Sequence, residues 1–221
     1  MNHSHREEAT KEGVVLIHGI WMNGLDMSLL RRRLAAAGYL TEQFTYPSVN
    51  ASPEENAVTL SEFIKRIHVP KLFFVCHSLG GLLVRHLFHI FPEQRPGRVV
   101  TLGTPHRGSH VAGRLSRHAL GRWLLGRSVD QGLCGSVPAW SGNYELGVIA
   151  GTLPMGVGRV IPALPFPNDG TIAVEETILP NMRDRITLPV SHTGLLFAPS
   201  GAQQTLHFLR HGEFDHDRHR D

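Results

Sequence analysis

Apolar residues change their period repeatedly along the chain. Val14–Ile17 is a short aliphatic run closed by His18-Gly19, the pattern of a buried strand. From Asp26 to Ala37 the apolar positions are Met27, Leu29, Leu30 and Leu34, with Arg31 to Arg33 turned the other way. That spacing predicts an amphipathic helix, ended by Gly38. Gln43–Tyr46 reads as a second strand, stopped by Pro47. Ser52 caps a second helix, with Pro53 at its first position and Glu55 three residues after the cap. Ala57, Leu60, Ile64 and Ile67 carry its stripe to Val69, and Pro70 ends it. Leu72–Cys76 is uniformly apolar, as in a strand covered on both faces. Leu82–Phe91 returns to helix. Arg98–Leu102, Leu146–Ala150 and Arg185–Leu188 read as further strands, and Ala202–His211 as the last helix.

Strands alternating with helices predict an α/β architecture: a mostly parallel central sheet of about six strands with helices on both faces. It forms one domain over residues 13–211, between polar tails at 1–12 and 212–221. Two stretches fit the alternation poorly. Thr104–Trp140 is rich in Gly, Arg and Ser, and Gly151–Gly170 holds Pro154, Pro162, Pro165 and Pro167. Both follow strand ends, where open α/β sheets build their sites.

Composition narrows the function classes. Apolar residues make up 41% of the 221 and charged residues 19%, which excludes wholesale disorder. The net charge of +3 comes without a basic run or basic-aromatic alternation, so nucleic-acid binding is not expected. Cys76 and Cys134 read as free thiols in a reducing compartment. The opening MNHSHREEATKEG lacks the apolar core of a secretory signal, so the expected location is the cytoplasm. The apolar stretch Leu72–Phe91 is interrupted by His77, Arg85, His86 and His89, which argues against a membrane span. The fifteen histidines include no HExxH or Cys-His cluster, so neither a metal nor another cofactor is expected.

The chemistry concentrates in Lys71–Val84, KLFFVCHSLGGLLV. A buried strand runs into Cys76-His77-Ser78-Leu79-Gly80-Gly81 and a helix follows at once, the context of a nucleophile elbow. The turn demands small side chains two residues before and after the serine. Gly80 meets the demand, and Cys76 stands where Gly is preferred. The plain alternative is a buried strand ending in a glycine turn. In Val14–Ile20 a second strand ends in His-Gly, so a following amide can face the same pocket. The amides of Ile20 and Leu79 are therefore candidate oxyanion donors. His18 reads as a brace for that loop. Trp21 and Met22 either line an apolar substrate pocket or belong to the core.

With these motifs on the page, the chain resembles the α/β-hydrolases, in particular small bacterial lipases and esterases with a minimal core. The resemblance runs from about Gly13 to Arg210 and includes VVTLGTPHRGS (Val99–Ser109), Asn168-Asp169-Gly170-Thr171 and LPVSHTGLLF (Leu188–Phe197). The family order, nucleophile then acid then histidine, implies Ser78, Asp169 and His192 as the catalytic set. Rival bases are His207 and His211, in or after the last helix, and His106 and His110, which precede every late acid. Rival acids are Glu175 and Glu176, at the edge of a short helix, and the early Asp130 and Glu145.

The resemblance implies a serine hydrolase acting on a small-molecule acyl ester or lipid, with thioesterase, acyltransferase or a silent binding module as alternatives. Leu164, Phe166, Leu195 and Phe197 are further pocket candidates. Residues 113–127 carry Leu115, Leu120, Trp123, Leu124 and Leu125 among four arginines. This reads as a basic amphipathic helix that either touches a membrane surface transiently or packs on the sheet. Gly121 and Gly126 lower its helix propensity. No large cap is available, which predicts a shallow, solvent-accessible site.

Overall fold

The aliphatic runs become strands because each is covered on both faces. A computed structural model describes residues 12–95, 97–140, 144–156 and 164–217. Its six strands are β1 (Gly13–Ile17), β2 (Leu40–Phe44), β3 (Leu72–His77), β4 (Arg98–Leu102), β5 (Glu145–Gly151) and β6 (Asp184–Leu188). All pair in parallel, in the order β2-β1-β3-β4-β5-β6. Successive side chains point to opposite faces of a strand. Val15, Ile17, Leu72, Phe74 and Cys76 accordingly meet α2 (Pro53–Lys65) and α3 (Leu79–Ile90) on one face. Val14, Leu16, Phe73 and Val75 meet α1 (Ser28–Ala36), α6 (Gly194–Phe197) and α7 (Pro199–His211) on the other. Burying a side chain such as Phe74 or Phe88, packed edge to face at 5.6 Å, contributes about 1.5–3 kcal/mol.

The α2 start forms as its sequence dictates. Ser52 Oγ accepts from the Glu55 amide and Glu55 Oε2 accepts from the Ser52 amide, a reciprocal capping box. The helix stops at Lys65, short of the Val69 that the apolar stripe suggests. β2 runs Leu40–Phe44 where the sequence suggested Gln43–Tyr46. It is an edge strand, half exposed over most of its length, so apolar content marks it poorly. Helix α3 starts at Leu79 instead of Leu82, taking Gly80 and Gly81 into its first turn.

The chain order reverses direction at β1, between β2 and β3. Ile17 is level with both Phe44 and Cys76, so the C-terminal ends of these strands lie together. That crevice is where a doubly wound sheet builds its site.

The segment 104–140 holds two short helices, α4 (His110–Leu115) and α5 (Ala119–Leu125), where one helix over 113–127 was expected. Ser116 caps the first helix C-terminally and His118 precedes the second. Leu125 is buried, but Leu120, Trp123 and Leu124 are exposed, so the apolar side of α5 does not pack on the sheet. Arg85 of α3 anchors the segment from within. Its guanidinium donates to the Pro138 carbonyl at 2.8 and 2.5 Å and to that of His106 at 2.7 Å. Burial lowers the Arg85 pKa to about 10.

The first residues of the expected C-terminal tail at 212–221 are packed. Phe214 is buried against Phe208 (4.9 Å between ring centroids), and Gln204 exchanges two hydrogen bonds with the Asp215 backbone. Residues 1–11 of the expected tail at 1–12, Pro162 and residues 218–221 lie outside the described residues. No helix among the described residues is long and apolar enough to cross a membrane.

Candidate active site

β3 and α3 meet at Ser78, whose backbone (φ +51°, ψ −120°) is in a region that non-glycine residues rarely enter. Such a conformation costs about 1–3 kcal/mol and persists when its surroundings over-determine it. Here they do. The Ser78 amide donates to the Leu102 carbonyl at 2.9 Å, and the Ser78 carbonyl accepts from Thr104 Oγ1 at 2.8 Å. A methyl group on Gly80 would come 2.6 Å from the Ile17 carbonyl oxygen, and one on Gly81 would overlap Thr104 Oγ1. Both glycines permit close approach of helix and sheet. Cys76 is fully buried in the α2–α3 core, and burial pushes its thiol pKa far up, so it remains protonated.

The loop after β1 lies against this turn. A methyl on Gly19 would come 3.0 Å from His77 Nδ1 and 3.1 Å from Ser78 Cβ. Residues after β2 pin the loop along its length. His18 Nδ1–H donates to the Gly19 carbonyl at 2.8 Å, and Nε2 accepts from the Tyr46 amide at 3.3 Å. The Tyr46 hydroxyl donates to the His18 carbonyl at 2.8 Å, and the two rings stack at 4.4 Å. Burial lowers the His18 pKa and holds it neutral, which suits a brace. Ile20 follows in this loop, and Leu79 is the first residue of α3, where an amide has no partner within its helix.

The loops after β5 and β6 bring Asp169 and His192 together. Asp169 Oδ2 accepts from His192 Nδ1 at 2.7 Å. Oδ1 accepts from the amides of Thr171 (2.9 Å) and Ile172 (2.7 Å), so the aspartate caps its own turn and still presents an oxygen to the imidazole. The His192 amide donates to the Asp169 carbonyl at 2.9 Å, locking the loops to each other. Asn168 supports the turn from behind, accepting from Gly170 N and donating to the Pro165 carbonyl. His77, the residue before Ser78, donates from Nε2 to the His192 carbonyl at 3.2 Å, with ring centroids 4.7 Å apart. Burial, and then the neighbouring His192, hold its pKa well below the usual value. Asp169 and His192 are thus bonded across the loops after β5 and β6, and His77 holds His192 against the end of β3, one residue before Ser78.

The other candidates fall elsewhere. His106 is buried beneath the site against Thr101 Oγ1, its pKa pushed down to about 3 by burial. His207 and His211 sit on α7, His207 bonded to the Glu213 carbonyl. Glu145 pairs with Arg98 at 2.5 Å. Glu175 is exposed, whereas Glu176 is buried and bonded to His110 at 2.6 Å. The sequence offered no sign of that pair, because its members are 66 residues apart on different elements. Trp21 donates its indole N–H to the Leu124 carbonyl at 2.9 Å, tying the loop to α5. Met22 packs against the core on the α1 face. Leu195 is core, and Phe166 and Phe197 are exposed. Among the described residues no group of three or more His, Cys, Asp or Glu side chains is placed to hold a metal ion.

Residues 8–127 match the family model described as "Putative serine esterase (DUF676)". The chain belongs to that family. The matched residues include the Ser78 elbow and stop before Asp169 and His192. Solved structures share the fold of this esterase across nearly its whole length. A Bacillus licheniformis lipase, BlEst2 in its mature form, is 20% identical, with 92% of each chain covered and a TM-score of 0.66. A metagenomic carboxyl esterase is 17% identical, with 83% of this chain and 65% of that chain covered and a TM-score of 0.62. The RedJ thioesterase of the Streptomyces coelicolor prodiginine pathway is 14% identical, covering 91% and 86%, with a TM-score of 0.60. The sheet with helices on both faces is therefore an α/β-hydrolase fold, and membership of the serine esterase family makes the protein an ester hydrolase.

Proposed function

We propose that Ser78, His192 and Asp169 form a catalytic triad that hydrolyses small-molecule carboxylic esters through an acyl-enzyme. The supporting observation is the buried Asp169–His192 hydrogen bond of 2.7 Å beside a serine on a strained strand-to-helix turn. With Nδ1–H given to Asp169, Nε2 is the basic nitrogen of His192. It takes the proton as Ser78 Oγ bonds to the ester carbonyl carbon. The oxyanion of the tetrahedral intermediate accepts from the Ile20 and Leu79 amides, which are fixed in place before reaction. The ester C–O bond then breaks and His192 returns the proton to the leaving alcohol. Water attacks the acyl-serine by the same route, releasing the acid and the free serine. Asp169 holds the imidazole tautomer and stabilises the imidazolium. Every group in this cycle is a side chain or amide of the chain itself.

The test is a fluorophosphonate probe together with a panel of p-nitrophenyl esters and one thioester. The wild-type protein is expected to label at Ser78 and to turn over esters. Ser78→Ala is expected to lose labelling and about 10⁴–10⁶-fold in kcat while staying folded. Near-normal turnover by that variant would remove Ser78 from the mechanism.

A further inference from the structure

Trp21 has a left-handed backbone (φ +59°), a costly conformation for a bulky side chain. Two hydrogen bonds hold it there, from its amide to Ser48 Oγ at 3.1 Å and from its indole N–H to the Leu124 carbonyl at 2.9 Å. Neither serves burial, because the side chain remains 57% exposed. Trp123 on α5 is 76% exposed. Both line one pocket of about 470 Å³ together with Val49, Asn50, Leu124 and Gly126, and none of these side chains is charged. That volume is typical of small-molecule sites.

The three segments that wall the pocket are fixed to one another. The Arg127 amide donates to the Val49 carbonyl at 2.9 Å, Arg127 pairs with Glu55 at 2.5 Å, and a methyl on Gly126 would overlap the Val49 carbonyl. The pocket is therefore preformed. Its Trp21 wall belongs to the loop whose Gly19 lies against Ser78, and at most about 7 Å separates the Cα atoms of Gly19 and Trp21.

We infer that this pocket is the subsite for the uncharged, apolar end of the ester, with Trp21 and Trp123 as its specificity-determining residues. The inference rests on the assignment of Ser78 as nucleophile. Its substrate class is an ester with a medium-length alkyl chain or a single aromatic ring. Strain at Trp21 then has a purpose, since it keeps an indole face open beside the oxyanion loop where a core position would hide it. Each methylene that the pocket takes from water raises kcat/KM by up to about fourfold.

The deciding measurement is the ratio of kcat/KM for p-nitrophenyl octanoate over acetate. Trp123→Ala and Trp21→Ala are each expected to lower it by about tenfold or more. A ratio unchanged in both variants overturns the subsite. If Trp123→Ala instead loses binding to anionic phospholipid vesicles with the ratio unchanged, α5 is a lipid-surface contact and the subsite is equally refuted. A second measurement separates this inference from the mechanism. Methyl octanoate added to the Ser78→Ala protein is expected to shift tryptophan emission to the blue, less so after Trp123→Phe or Trp21→Phe. Monomethyl suberate, of similar length but carrying a carboxylate, is expected to give no shift. Should the wild-type protein hydrolyse none of the esters, the emission shift alone decides; its absence then rejects the subsite.

Discussion

Among the described residues two carboxylate–histidine pairs have a buried acid, and they differ in almost everything except length. Asp169–His192 spans 2.7 Å and Glu176–His110 spans 2.6 Å. Both acids are buried, but the His192 side chain is 11% exposed and that of His110 50%. Asp169 gives one oxygen to its own turn and reserves the other for His192. Glu176 accepts from Ala173 N through one oxygen, and its other oxygen is shared by the His110 ring and the His110 amide. His192 packs on His77, next to Ser78. His110 opens α4 beside Ser109, whose hydroxyl is already taken as acceptor by the Ala112 amide. The second pair is a latch between α4 and the short 3-10 turn at Val174–Thr177. A buried acid bonded to an imidazole is thus no signature of catalysis by itself. What matters is which group lies beside the ring and what the remaining carboxylate oxygen is doing.

The sharpest way to break this contrast is to neutralise each acid in turn. Asp169→Asn is expected to lower kcat by about 10⁴-fold, because the amide favours the wrong imidazole tautomer. Glu176→Gln is expected to turn over p-nitrophenyl esters normally and to unfold at lower urea concentration. The loss should be about 1–3 kcal/mol, from replacing charge-assisted bonds in a buried site. If Glu176→Gln were inactive and Asp169→Asn active, the two roles would have to be exchanged.

A second effect acts on both regions through pH. His18, His77 and His106 are buried and their pKa values lie below the usual 6.5, that of His106 at about 3. Between its folded pKa and 6.5 such a group is protonated in the unfolded chain and neutral in the folded one. Stability therefore falls as pH drops from 6.5 through that window. The slope is about 1.4 kcal/mol per pH unit for each histidine fully within it. Urea midpoints at pH 7, 6 and 5 are expected to decline steadily, and His106→Gln is expected to make the decline shallower.

Much of this arrangement was legible in the sequence, and the failures have physical causes. β4 runs Arg98–Leu102 as its apolar pattern predicts, since a central strand must be apolar on both faces. The elbow was readable because strand, small residues and helix are contiguous. Asp169 and His192 were reached only through the family resemblance of their loops and its chain order, and the structure does bring them together. The start of α3 was misjudged because Gly80 and Gly81 look like a turn, while their use is close packing against Ile17 and Thr104. The single helix expected over 113–127 is broken at Ser116–His118, and Gly121 lets the second helix pack closely on the Leu115 carbonyl. The rest of 104–140 is held by long-range bonds, and nothing local announces that Arg85 or His86 reaches 45 to 53 residues along the chain to make them.

That anchoring separates the segment 104–140, a small cap after β4, from the Asp169–His192 side of the proposed site. The Asp169–His192 loops are joined by short-range bonds between neighbours in space. The cap hangs on Arg85, whose charge has only carbonyl partners among the bonds that hold it. Arg85→Met keeps the apolar stem but leaves the His106 and Pro138 carbonyls unsatisfied. The expected cost is about 1.5–3 kcal/mol, read by urea denaturation. Limited proteolysis should then cut first within 104–140, with wild-type labelling of Ser78 by fluorophosphonate retained. Cleavage spread evenly along the chain would mean that Arg85 supports the whole core and not the cap.

The smallest expected effect concerns the two cysteines, which divide along the same line. Cys76 sits two residues before the proposed nucleophile, buried and level with Ile17 on the neighbouring strand. Cys134 lies in the cap and is exposed. A thiol in that elbow position invites a chemical reading, but burial pushes its pKa far up, so it offers no thiolate. Its role is to be small. Cys76→Ala removes one heavy atom from the core, which should cost about 1 kcal/mol, as other one-group truncations do. Turnover should be close to wild type, because the strain at Ser78 is relieved by small neighbours and not by sulfur. A thiol reagent such as DTNB is expected to modify Cys134 alone in the native protein and both thiols in urea. Rapid native modification of Cys76, or a folded but inactive Cys76→Ala protein, would show that the elbow depends on this sulfur after all.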